Sequence, residues 1–190
     1  HSLTYFYNWS FSHATTPYAI KWDGDMVLTE AGVRALRAAE WQLEGRQVVA
    51  SFKLPSVWLL SDSVAYIDVE VHNHEPRLWP NREGVHFLKA WDYETVRTQR
   101  RRRLRFDGGY CFELKRLSAD EFDHWTDVDD FLDPSAQPKK GREWSIATAL
   151  RSGAIPDGVT RIDAEPGEHV VETIRRLPLS RWPELVAEST

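Results

Sequence analysis

Cysteine is all but missing from this chain: Cys111 stands alone among 190 residues. One cysteine forms no intrachain disulfide and supplies no multi-cysteine zinc or iron–sulfur site. The same scarcity favours a reducing compartment, so the expected location is the cytoplasm. Long apolar runs are missing too. No stretch approaches the roughly 18 apolar residues of a membrane-crossing helix, and no hydrophobic signal core follows His1, so no membrane partner is expected. A surplus of positive charge is absent as well. The formal net charge is −5, whereas a dedicated nucleic-acid binder usually carries a basic domain. Several motifs are lacking: there is no phosphate-binding glycine-rich loop, no dinucleotide fingerprint and no Gly-x-Ser-x-Gly elbow.

What is present describes an ordinary globular chain, with 42% hydrophobic and 28% charged residues. At this length folding buries about 70% of the unfolded surface, enough for a real core. The expectation is one domain over residues 1–190, with a possible helical C-terminal subdomain from about 140. The nine tryptophans are scattered from Trp9 to Trp182, which reads as core filling rather than a sugar-stacking surface.

Residue patterns assign the elements. Leu3–Phe11 is aromatic and β-prone, and Ala19–Trp22 is a second short strand. Thr29 is a good N-cap before a helix of about 30–44 that stops at Gly45. Gln47–Lys53, Val57–Leu60, Val64–His74 and Val85–Trp91 read as strands, with a proline-containing loop over Glu75–Gly84. Arg100–Phe106 and Tyr110–Leu117 form an expected hairpin about Asp107-Gly108-Gly109, opposing Leu104 to Phe112 and Arg103 to Glu113. Ser118-Ala119-Asp120-Glu121 is a capping box that opens a short helix carrying Phe122, Trp125 and Phe131, and Asp133–Gly141 is the best linker. Helices over Arg142–Arg151, Glu168–Arg176 and Ser180–Glu188 flank a strand at Val159–Ala164. The expected fold is therefore α+β: a mainly antiparallel sheet, one early helix and a mostly helical C-terminal part.

Three groups of residues carry candidate chemistry. On a strand Tyr66–His74, alternation places Asp68, Glu70, His72 and His74 on one face. His72 and His74, with Glu70 and a distant His86, His124 or His169, would hold zinc or iron with a position left open for substrate. A solvated strand face has the same pattern. The pair also matches the His-x-His of the cupin metal motif, and Pro166-Gly167-Glu168-His169 loosely matches its later single-histidine motif. Tyr66 stands where that family carries glycine, and Glu83 lies too far along for its glutamate, so the resemblance is not adopted.

The second group is Glu113-Leu114-Lys115. On a strand Glu113 and Lys115 share a face, the arrangement of a restriction-type nuclease with Glu on Mg²⁺ and Lys beside the attacking water; Asp92 or Asp107 would complete it. The third is the basic run Arg97, Arg100, Arg101, Arg102, Arg103 and Arg105, suited to bidentate contact with phosphates. The acidic run Asp120, Glu121, Asp123, Asp127, Asp129, Asp130 and Asp133 could neutralise it, and lacks EF-hand spacing. The favoured expectation is a non-enzymatic accessory protein whose arginine surface contacts a protein partner or a nucleic-acid phosphate backbone. A metal-dependent enzyme at the histidine strand and a Mg²⁺-dependent nuclease at Glu113 and Lys115 are the alternatives.

Overall fold

The computed structural model describes residues 3–43, 48–70, 74–81, 85–90, 93–97, 102–117 and 138–187. In chain order the elements are α1 (Leu3–Ser12), β1 (Tyr18–Ile20), β2 (Met26–Leu28), α2 (Glu30–Leu43), β3 (Val48–Lys53), β4 (Ser56–Leu59), β5 (Val64–Asp68), β6 (His74–Pro80), β7 (His86–Ala90) and β8 (Tyr93–Arg97). There follow β9 (Arg102–Phe106), β10 (Cys111–Arg116), α3 (Pro138–Arg151), β11 (Val159–Asp163), α4 (Val170–Arg176) and α5 (Arg181–Ala187). No helix among them is long and apolar enough to cross a membrane.

Two sheets organise the chain. The first has the order β1-β6-β3-β9, the second β11-β5-β4-β10-β2, and β7 pairs with β8 in a separate ribbon. Both larger sheets are mixed, which overturns the mainly antiparallel expectation: β3 runs parallel to β9, and β4 parallel to β10. The hairpin expected between β9 and β10 does not form. Each strand instead follows the course of β3 and β4, so two chain segments cross together from one sheet to the other. The apolar faces explain the preference. Phe106 lies opposite Phe52 with rings stacked at 4.6 Å, and Leu104 lies opposite Ala50. These pairs complete a core with Met26, Leu54, Leu78 and Cys111, which an isolated hairpin would leave exposed to water.

The turn between β9 and β10 still uses its glycines, but to change sheets rather than direction. Gly109 has φ +95°, and a Cβ there would lie 2.5 Å from the Trp182 ring. Thr29 donates to the Gly109 carbonyl at 2.5 Å and accepts from Gly32 N–H at 3.0 Å, so one hydroxyl caps α2 and ties it to the turn. Gly32 lets the helix meet that backbone, since a Cβ would fall 1.9 Å from the Tyr110 carbonyl oxygen.

The C-terminal region is likewise not the helical part expected. Its strand β11 pairs with β5 and forms one edge of the second sheet. Ile146, Ala147 and Leu150 of α3 pack against Trp58, Tyr66 and Val159 on one face of that sheet. Val170, Ile174, Trp182 and Leu185 of α4 and α5 pack against Val57, Ala65, Ile67 and Phe112 on the other.

Other local differences have identifiable causes. Leu3–Phe11, read as a strand, lies in α1, where Tyr7 and Phe11 one turn apart meet Phe87 and Trp79. The Asn8 side chain clasps the Phe87 backbone, donating to its carbonyl at 3.0 Å and accepting from its N–H at 2.7 Å. The strand expected to reach His74 ends at Asp68, whose carboxylate accepts from Glu70 N–H at 3.1 Å and turns the chain. Much of the expected loop is instead β6, within the first sheet. Pro76 is tolerated there because the β3–β6 register breaks between Ala50 and Ser51, placing the proline at an irregularity. Trp58, Trp79 and Trp182 fill cores as expected, whereas Trp9 and Trp144 are about half exposed. The capping box of residues 118–121, with the helix expected after it, lies outside the described residues, and α3 begins inside the expected linker.

Candidate functional site

Strand β9 occupies one edge of the first sheet, paired with β3. Alternation sends Phe106 and Leu104 toward the core, and Arg103 and Arg105 to the opposite face. Arg102, Arg103 and Arg105 are all exposed, and none makes an ion pair with a described residue. Arg97 is exposed on β8, opposite His86. Arg100 and Arg101 lie outside the described residues. The expected Arg103–Glu113 pair is absent, because the two residues stand on strands of different sheets.

Glu113 and Lys115 do share a face of β10, but that face is buried. The register aligns Met26, Glu113, Ser56, Asp68 and Val159 in one row across the second sheet, beneath α3. Lys115 Nζ lies 3.3 Å from Glu113 Oε2 and 3.4 Å from Asp25 Oδ2. Arg77 arrives from β6 of the first sheet, with Nη2 3.7 Å from Glu113 Oε1 and 2.6 Å from Glu75 Oε2, and Nη1 2.5 Å from Asp23 Oδ2. Lys21 also meets Asp23, at 2.9 Å. From α3, Glu143 accepts from Ser56 Oγ at 3.4 Å, while Arg142 grips Asp68 with two bonds of 2.9 Å and reaches Glu70 at 3.0 Å.

Burial alone would drive the proton off Lys115, yet Glu113, Glu143 and Asp25 outweigh it and hold the ammonium above its ordinary range. Burial acts against Arg77 in the same way, and Glu75, Asp23 and Glu113 reverse it. Asp23 would be raised by burial, but Lys21 and Arg77 keep its carboxyl below the usual range. These charges therefore neutralise one another across the junction of the two sheets. An uncompensated charge in such a place would cost several kcal/mol, so the network fixes how β6, β10 and α3 meet.

A protonated lysine is no general base, and Glu113 is held by two cations rather than presented to an incoming ion. Of the carboxylates expected to complete a Mg²⁺ site, Asp107 is 82% exposed and bonds His74 Nε2 at 2.9 Å, and Asp92 lies outside the described residues. The histidine strand is also dispersed. His72 lies outside the described residues, His74 opens β6, Glu70 sits beyond the end of β5, and His169 caps α4 by accepting from Val171 N–H at 3.1 Å. Among the described residues no group of three or more His, Cys, Asp or Glu side chains is placed to hold a metal ion. Cys111 is fully buried, its thiol directed at the Lys53 carbonyl 3.9 Å away and its pKa pushed up to about 12 by burial.

No family model, no curated protein and no solved structure matches the chain. The site therefore rests on its own geometry. Sequence patterns did not single out Arg77, Asp23, Asp25, Glu143 or Arg142. Arg77 sits between prolines in a stretch that reads as loop, and the others are single charges in charged surroundings, so no spacing marked them. One weak signal existed: a charged pair at i and i+2 in an otherwise apolar strand must find counter-charges if its face is buried.

Proposed function

We propose that this chain is a binding module whose basic edge strand β9 receives an anionic partner. The observation that carries the reading is the position of Arg102, Arg103 and Arg105: exposed, on a sheet edge, with no described residue as counter-ion. The backbone beneath them is rigidly held, because Phe106 is buried on Phe52 and β3 is buried along most of its length. Because the strand backbone is already fixed, only the arginine side chains lose freedom on meeting carboxylates or phosphates. The buried cation of β10, Lys115, is already satisfied and does not compete for this role.

The test is anisotropy titration of labelled polyglutamate and of labelled single-stranded DNA against the wild type and an Arg102→Ala/Arg103→Ala/Arg105→Ala variant. At about 0.2–1 kcal/mol for each exposed charge contact, the variant should bind roughly tenfold more weakly, with unchanged circular dichroism and Tm. Unchanged affinity in a folded variant would overturn the reading.

A further inference from the structure

We infer that β9 takes an extended acidic protein segment, which adds along the side of the strand away from β3 as a fifth member of the first sheet. This rests on the reading of β9 as a binding edge and names the class of partner. Among the described strands β9 pairs with β3 alone. Along its other side, alternate residues therefore present both N–H and C=O groups. A peptide backbone answers both, donor to acceptor and acceptor to donor, at the same repeat. A nucleic-acid phosphate accepts from the N–H groups but is repelled by the carbonyls between them. The overall charge of −5 further opposes a long polyanion that would spread beyond the strand.

The side chains narrow the choice. Arg103 and Arg105 stand on one face about 7 Å apart, the spacing of alternate residues on any strand laid alongside. Carboxylates at i and i+2 of the incoming segment would thus stand opposite guanidiniums. A second copy of β9 would instead set arginine beside arginine, and like charges in adjacent strands destabilise the pairing. Charged edges protect sheets from joining to themselves in this way. The same three arginines that reject a second copy favour an acidic strand, so one feature supplies both attraction and discrimination. The described edge is five residues long, which suits a weak, reversible contact.

The experiment uses the full chain and a labelled, end-capped peptide of alternating Glu and Val. Two further peptides of identical charge carry N-methyl groups on one or the other alternate set of amides, and a single-stranded DNA of equal charge is the comparison. The expected result is binding of the parent peptide, at least a tenfold loss for one methylated peptide and a change under threefold for the other. An Arg103→Glu/Arg105→Glu variant should lose the parent peptide by at least tenfold. If both methylated peptides bind as the parent does, or DNA binds more tightly than the parent peptide, strand addition is overturned while the anion-binding reading stands. If neither peptide nor DNA binds, both readings fall.

Discussion

Strands β9 and β10 are separated by one short turn, and each carries cations, yet they place them in opposite environments. β9 lies at an edge and turns Arg102, Arg103 and Arg105 to water; β10 lies inside a five-stranded sheet and buries Lys115 with Glu113. Hydrated arginines on β9 need no counter-ion, and no described residue supplies one. On β10 desolvation demands compensation, and Arg77, Asp23, Asp25 and Glu143 are drawn from three other parts of the chain to supply it. Depth, not residue type, thus decides whether a charge must be compensated from within the fold.

The sharpest way to break this contrast is to remove a buried charge. Lys115→Met leaves Glu113, Glu143 and Asp25 without their ammonium, and should destabilise by about 3–5 kcal/mol in urea denaturation. Adding Glu113→Gln should restore part of that loss, because the two residues act as a unit. Full additivity of the two substitutions would show that the pair is not coupled.

The joint between the strands comes next. Gly109→Ala must hold a positive φ and meet the Trp182 ring, which should cost about 2–4 kcal/mol by thermal unfolding. A neutral result would mean that the turn relaxes freely and does not fix the crossing between sheets.

Alkaline pH probes the same asymmetry more gently. Lys115 and Cys111 both have folded-state pKa values above their unfolded ones, the thiol at about 12. Their contribution is complete below the unfolded values, about 8.5 for Cys and 10.4 for Lys, and is lost as pH rises through the folded ones. Unfolding should therefore become easier above about pH 9, with the onset delayed in a Cys111→Ala variant measured against its own neutral-pH stability. A Tm that stays flat to pH 11 in the wild type would contradict the burial of both groups. The smallest effect belongs to β9: each single Arg→Ala there should change stability by no more than about 0.5 kcal/mol, as measured by urea denaturation. A larger loss would mark those arginines as structural.

Several elements were legible in the sequence for local reasons. The Thr29 cap and the run of helix formers after it lead into α2; β3 and β11 fall within the apolar or β-branched runs that predict strands, and β4 is shifted by one residue from its own. What escaped was set by distant partners. α1 reads as a strand because its aromatics are β-prone, and only the Phe87 and Trp79 rings select the helix. β6 reads as loop because of its prolines, and only an irregular register with β3 accommodates Pro76. The candidate site divides along the same line. The arginine run stands out as letters, but nothing local says that β9 is an edge. Glu113 and Lys115 are visible as a pair, whereas their burial depends on α3 arriving from more than twenty residues away.

By itself the sequence determined the short-range terms: caps, turn glycines, alternation, and the presence of a basic segment. These depend on residues within a few positions of one another. Strand partnership, the parallel course of β3–β4 with β9–β10, and the depth of each charge were decided only in three dimensions. The hairpin and the observed crossing use the same turn and the same alternation. They differ in whether Leu104 and Phe106 find Ala50 and Phe52, and burial of that apolar surface, a long-range term, tips the balance.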